Sequence, residues 1–272
     1  MSLENLSIIL VGGGNMGCAL AGGWLKNGVS ASQIRVIDPG PSPQMVKYLS
    51  DNAIHHMASS ENITPADVLL VAVKPQVMSK VLQSIKHLVG KHTVVISVAA
   101  GKTLSFMEDI LGQCALVRAM PNTPALVQRG ITVACANSRV SEEQIKQANL
   151  LLGATGSIEW LNDENLMDAV TAVSGSGPAY VFHLTEALSN AAVAAGLPEA
   201  LAQKLALETV AGAGELMMQS DQSPAKLREN VTSPGGTTQA ALDILMARDG
   251  FPELLKRAVD AAAKRGGELS KI

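Results

Sequence analysis

The chain has 272 residues, 47% of them hydrophobic but only 3% aromatic, so its core is aliphatic. A formal net charge of −3 and a pI near 6.0 leave no basic patch, and a nucleic acid is not expected as a partner. No apolar run reaches the ~18–20 residues of a membrane span, and no charged-then-apolar leader precedes the first strand, so no membrane is expected. Residues 7–11 (Ser-Ile-Ile-Leu-Val) are a short β-branched run, as in a buried strand. They lead into Gly12-Gly-Gly-Asn-Met-Gly17, a G-x-G-x-x-G pattern, with an apolar helix over 18–25. In that setting Gly12 permits a tight turn, Gly14 lets a pyrophosphate approach the backbone, and Gly17 lets the helix pack close to its strand. A second strand over 33–37 ends at Asp38, about twenty residues past the last glycine, where a ribose-binding carboxylate is expected.

Alternation continues. Strands are expected at 68–73, running into Lys74-Pro75, at 93–98, running into Ala99-Ala100-Gly101, and at 115–118, running into Ala-Met-Pro-Asn-Thr-Pro124. Helices are expected at 78–88, 104–111 and 141–152, with shorter strands at 131–136 and 157–161. This spacing predicts an α/β fold of Rossmann type, a doubly wound and mostly parallel sheet. Ligands of such sheets bind at the carboxyl ends of the strands, where the distinctive residues fall.

The alternation stops near Leu161. Helices are expected at 164–173, 178–195, 198–219, 223–230, 237–248 and 252–270, with Pro178 and Pro198 in first turns. The reading is therefore a dinucleotide-binding domain over 1–162 followed by an all-helical domain over 163–272 for substrate binding and oligomerisation. A mean hydropathy of +0.22 is high for a soluble monomer, and the excess is read as helical surface buried between subunits.

Within the helical half, Val231-Thr-Ser-Pro-Gly-Gly-Thr-Thr238 joins two amphipathic stretches. Thr237 and Thr238 open a helix, where unpaired N–H groups and a positive field suit a small carboxylate. Taken alone, those eight residues fit an ordinary capped helix better; the nucleotide motif at the other end of the chain changes the balance. Cys18, Cys114 and Cys135 are odd in number and show no metal or redox spacing. The five histidines form no cluster, so no metal is expected. These residues point to a reduced, cytoplasmic protein. The helical half offers no obvious strong acid or base. Imine reduction needs neither, because the ring nitrogen can already carry a proton, whereas alcohol oxidation needs a base.

Taken together, Gly12-Gly-Gly-Asn-Met-Gly17, Ala72-Val-Lys-Pro75, Ala99-Ala-Gly101, Arg118-Ala-Met-Pro-Asn-Thr-Pro124, Ser174-Gly-Ser-Gly-Pro-Ala-Tyr180 and Ser233-Pro-Gly-Gly-Thr-Thr238 resemble pyrroline-5-carboxylate reductases over nearly the whole chain. The resemblance implies hydride transfer from NADPH or NADH to the C=N carbon of 1-pyrroline-5-carboxylate, giving L-proline. It implies a catalytic Thr238 and a substrate carboxylate held at Ser233, Gly235, Gly236 and Thr237, with Glu164 near the substrate. It implies cofactor contacts from Val11, Gly12, Gly13, Gly14, Asn15, Met16, Asp38, Ala72, Val73, Lys74, Pro75, Val98, Ala99, Ala100 and Asn230. It also implies self-association through the helical domain, as a dimer or decamer, with a site that combines two copies. NADPH is the family expectation, and Asp38 makes NADH a rival, although Ser42 and Lys47 could soften repulsion of a 2′-phosphate. β-Hydroxyacid dehydrogenases share the two-part plan but use a helical Lys soon after a glycine-rich turn; here Pro-Ala-Tyr-Val-Phe-His follows Gly177. A dinucleotide sensor would not need the threonine loop.

Overall fold

The computed structural model describes residues 6–269. By internal contacts the chain forms two units. One runs to Gly175 and takes in the chain again from Ala262; the other is Ser176–Ala261. This division lies past the boundary expected at residues 162/163, because the segment after the last strand is tied back onto the sheet, as described below.

The first unit holds a sheet of eight strands: β1 (Ile8–Val11), β2 (Ile34–Ile37), β3 (His55–Met57), β4 (Val68–Val71), β5 (Val94–Ser97), β6 (Ala115–Met120), β7 (Gly130–Ala136) and β8 (Gly156–Trp160). Their order is β3-β2-β1-β4-β5-β6-β7-β8, so the winding reverses between β1 and β4. Every pairing is parallel except β6 with β7. Only a 3-10 stretch, Thr123–Val127, joins those two strands, too short for the crossover that a parallel return needs.

β1, β4 and β5 are buried at every residue, because helices cover both faces of the sheet. Alternate side chains feed two cores. Ile8, Leu10, Val68, Leu70 and Ile96 meet Leu20 and Trp24 of α1 (Asn15–Lys26), Met45 and Leu49 of α2 (Pro43–Asp51), and Leu151 and Leu152 of α5 (Glu142–Gly153). Ile9, Val11, Leu69, Val71 and Val95 meet Met78, Leu82 and Ile85 of α3 (Met78–Ile85) and Met107 and Leu111 of α4 (Leu104–Leu111). Each such side chain contributes roughly 1.5–3 kcal/mol when fully buried. α2 and β3 were not among the expected elements, although Ser42 and Pro43 mark a helix start: the Met45 N–H donates to Ser42 Oγ at 3.2 Å.

After β8 the expected single helix at 164–173 is broken into a 3-10 turn (Glu164–Leu166), α6 (Met167–Val170) and a π-helical turn (Thr171–Gly175). Thr171 Oγ1 donates to the Met167 carbonyl at 2.8 Å, and Ser174 Oγ to that of Val170 at 3.0 Å. Hydroxyls bonded one turn back in this way bend a helix.

The second unit contains α7 (Gly177–Ala194), α8 (Glu199–Gln219), α9 (Pro224–Asn230), α10 (Thr237–Leu245) and most of α11 (Phe251–Leu269). Pro178 sits in a first turn, as expected, whereas Pro198 is the cap residue of α8, with ψ 139°. Among the described residues, the buried apolar side chains of this unit are Ala202 and Ala206. Large ones stand open: Phe182 is 66% exposed, Met218 73% and Ile244 74%. No helix among the described residues is long and apolar enough to cross a membrane.

Candidate active site

The glycine loop leaves β1 at the point where the sheet reverses. Gly12 has φ +100°, and a Cβ there would lie 2.6 Å from the Ala72 carbonyl oxygen, so neither the turn nor its neighbour admits a side chain. Gly17 is equally constrained, since its Cβ would strike the Gly12 carbonyl. Gly14 differs: a Cβ added there would meet no protein atom within 4 Å. Packing does not require this glycine. It keeps open the start of α1, which has no side-chain cap and no acidic residue in its first turn. The first N–H groups of α1 therefore face outward without intrahelical acceptors, beside exposed Asn15 and half-buried Met16. A pyrophosphate fits that cradle in charge and in clearance.

Asp38 closes one side of the loop. The Gly13 N–H donates to its Oδ2 at 2.6 Å, and the Gly40 N–H to its Oδ1 at 2.9 Å. The residues after β4 and β5 complete the edge. Ala72 N–H donates to the Val11 carbonyl at 2.8 Å, and Val98 N–H to that of Val71 at 3.1 Å, so Ala72 and Val98 carry the sheet ladder past the strand ends, with half-buried Val73 following Ala72. Lys74 is exposed and caps the 3-10 turn that Pro75 opens. Ala99 N–H is held by Ser97 Oγ at 3.3 Å, and Ala100 is half-buried beside it. The loop, Asp38 and these two strand ends thus line one edge of the sheet.

Glu164 has a structural engagement that the sequence did not reveal. Its Oε1 accepts from Arg118 Nη1 at 2.9 Å and from the Leu104 N–H, at the start of α4, also at 2.9 Å. Arg118 lies on β6, only 4% exposed, with Nη2 3.8 Å from Asp168 Oδ1. The guanidinium thus binds the segment after β8 to the sheet. Burial pushes the nearby Cys135 thiol up to about 11, and the Glu164 carboxylate adds to that shift. Nothing in the spacing of residues 104, 118 and 164 points to this contact.

In the second unit, Gly236 is the cap residue of α10, with no side-chain cap and no acid in the first turn. Gly235 takes φ +70°, and the Gly236 N–H turns back to the Ser233 carbonyl at 3.0 Å. That turn leaves the N–H groups of Thr237 and Thr238 at the mouth of the helix without intrahelical acceptors. Ser233 and Thr237 are exposed, and Thr238 is half-buried. By contrast α2, α4, α5 and α9 all have a Ser or Thr side chain capping them. Asn230 closes α9, and its Nδ2 donates to Gln222 Oε1 at 2.7 Å.

A family model described as pyrroline-5-carboxylate reductase dimerisation matches residues 164–269, and one described as NADP oxidoreductase coenzyme F420-dependent matches residues 7–101. The chain is 43% identical over 266 residues to pyrroline-5-carboxylate reductase of Pseudomonas aeruginosa, covering 97% of each chain. It is 37% identical over 268 residues to the Pisum sativum enzyme, covering 98% of this chain and 97% of that one. Among solved structures, a pyrroline-5-carboxylate reductase from Coxiella burnetii superposes with a TM-score of 0.90 at 36% identity, over 98% of this chain and 99% of that one. The Plasmodium falciparum pyrroline carboxylate reductase, with NADP bound, gives 0.84 at 31% identity, over 99% of this chain and 100% of that one. An uncapped glycine-led helix in each unit, a mostly parallel sheet with its Asp38 and a matching helical half all agree with these likenesses: the chain belongs to the pyrroline-5-carboxylate reductase family, NAD(P)-dependent oxidoreductases of proline biosynthesis.

Proposed function

We propose that this chain holds the carboxylate of 1-pyrroline-5-carboxylate at the start of α10, on the N–H of Thr237, beside Ser233, Gly235 and Gly236, whose own N–H is turned back to the Ser233 carbonyl. Thr238 places its hydroxyl at the ring nitrogen. The observation that carries this reading is the glycine cap of α10, which leaves backbone donors unspent where a side chain could have used them. When bound, a reduced nicotinamide supplies the hydride to the C=N carbon. The π pair of that bond then moves to a nitrogen that is already protonated, and L-proline results. No strong acid or base is required of the protein, so orientation is its main contribution, worth ~7–11 kcal/mol in favourable cases. Val11 to Met16, Asp38, Ala72 to Pro75 and Val98 to Ala100 hold the dinucleotide, and the family likeness suggests Asn230 as a further contact to it. Glu164 acts near the substrate.

Removing the hydroxyl in Thr238→Ala is expected to lower kcat/KM roughly 10- to 100-fold, the loss of one hydrogen bond to a charged group, with an unchanged melting temperature. Turnover at the wild-type level would take Thr238 out of the reaction. We further propose that dimers assemble into decamers, which light scattering would read. A cytoplasmic setting suits three free cysteines whose thiols burial pushes up.

A further inference from the structure

We infer that Asp38 makes this chain take NADH in preference to NADPH, an inference that rests on the dinucleotide placement proposed above. The carboxylate stands at the end of β2 and cannot turn away. Gly13 N–H holds one oxygen at 2.6 Å and Gly40 N–H the other at 2.9 Å. The main chain of Asp38 is fixed as well: its N–H donates to the Met57 carbonyl at 3.0 Å, and its own carbonyl is 2.8 Å from His56 Nε2. Each carboxylate oxygen has a lone pair left, enough to accept from the two hydroxyls of an adenosine ribose.

NADPH replaces one of those donors with a phosphate dianion. The phosphate cannot donate, and it brings negative charge against a carboxylate that two backbone bonds hold in place. Discrimination of this kind comes as much from the clash with the wrong ligand as from contacts to the right one. Relief would require a cation. Lys47 is drawn along α2 to Asp51, Nζ to Oδ2 at 2.7 Å. That pair is exposed and weak, so Asp51 shares the Lys47 charge without locking it in place. Arg35 sits near the other end of β2, where it shares a shallow groove with Leu6 and Pro65 and bonds Thr64 Oγ1 at 3.4 Å. Ser42 Oγ accepts from the Met45 N–H, which leaves its O–H able to donate, but the hydroxyl brings no positive charge to offset the carboxylate. Lys47 is thus shared with Asp51, and Ser42 is uncharged, so neither cancels the Asp38 carboxylate.

The experiment is a nicotinamide-fluorescence titration of the purified protein with NADH and with NADPH, without pyrroline carboxylate, at one ionic strength. The wild type is expected to bind NADH at least about tenfold more tightly. Asp38→Asn removes the charge but keeps an acceptor for Gly13 N–H, and it is expected to shift that ratio toward NADPH by a comparable factor. A thermal melt confirms that the variant is folded. Equal or tighter binding of NADPH by the wild type overturns the inference, whether or not the variant folds. An unchanged ratio in a folded variant overturns the role of Asp38. Binding of neither nucleotide would remove the placement itself. Failure of turnover alone leaves the binding ratio untouched and counts only against the assigned substrate geometry.

Discussion

Arg118 is buried on β6 and gives its guanidinium to Glu164 and Asp168. Breaking a buried pair by removing one partner leaves the other desolvated and alone. Arg118→Met is therefore expected to cost roughly 2–3 kcal/mol, somewhat below the fully buried case because Glu164 is partly exposed, and calorimetry would show it as a lower melting temperature. Glu164→Gln keeps an acceptor for Leu104 N–H and should cost less. If Glu164 also acts near the substrate, that milder variant raises KM, which a purely structural role would not do. Cys135 carries a pH signature. Its thiol moves from an ordinary value of 9.0 to about 11 in the folded chain, chiefly by burial. Between those values the unfolded chain has released a proton that the folded chain retains, so stability falls as pH rises through this window. Cys135→Ala should flatten that alkaline loss, about 1 kcal/mol by pH 10, in urea titrations at pH 8, 9 and 10. At this scale the sequence was legible where chemistry is local. Gly12, Asp38 and the threonines of α10 announce themselves by spacing from a strand or helix end. The tie of Arg118 to Glu164 is tertiary, and so is the Gly13 N–H that fixes Asp38, whereas the Gly40 N–H reaches it within a local turn.

At the scale of elements, α1 has two duties. The duty proposed for its uncapped first turn is to face an anion, while its last turns anchor it: Trp24 is fully buried, and its Nε1 donates to the Leu151 carbonyl on α5 at 2.8 Å. Trp24→Phe keeps most of the packing but leaves that carbonyl unpaired, at about 1–3 kcal/mol. Nucleotide affinity should change far less than the melting temperature, because the loop end of α1 is held separately by Asp38 and the sheet. β1, β4 and β5 were readable because buried parallel strands are continuous apolar runs. β3 was not, since His-His-Met at a sheet edge has neither such a run nor an alternation. α2 could have been found from Ser42-Pro43 followed by Met45 and Leu49, a cap and then apolar residues one turn apart. The π-helical turn at Thr171–Gly175 follows from hydroxyls competing for backbone carbonyls, which no hydrophobic period reveals.

At the scale of the molecule, the second unit buries almost nothing within one chain. Its helices leave Phe182, Leu207, Met218 and Ile244 open, and the family to which the chain belongs dimerises through this region. The high hydropathy was legible from composition; which faces stay open was not, because polar and apolar residues of α7 and α8 are not segregated to opposite faces. Stability of such a unit is tied to association, so the melting temperature is expected to rise with protein concentration. Ile244→Asp should weaken self-association, seen as a smaller species in sedimentation at low micromolar concentration. A two-fold interface counts the change twice, at roughly 1.5–3 kcal/mol for each side chain.

A core of two alanines also bears on how the protein comes into being. The sheet can bury its strands as soon as its own residues are available, a first-order event. The helices of Ser176–Ala261 bury little among themselves, so their ordering is expected to depend on a second chain. Refolding from denaturant should separate accordingly into a concentration-independent phase and a later one whose rate scales with protein concentration, and the rate at which new chains meet would then set how quickly activity appears.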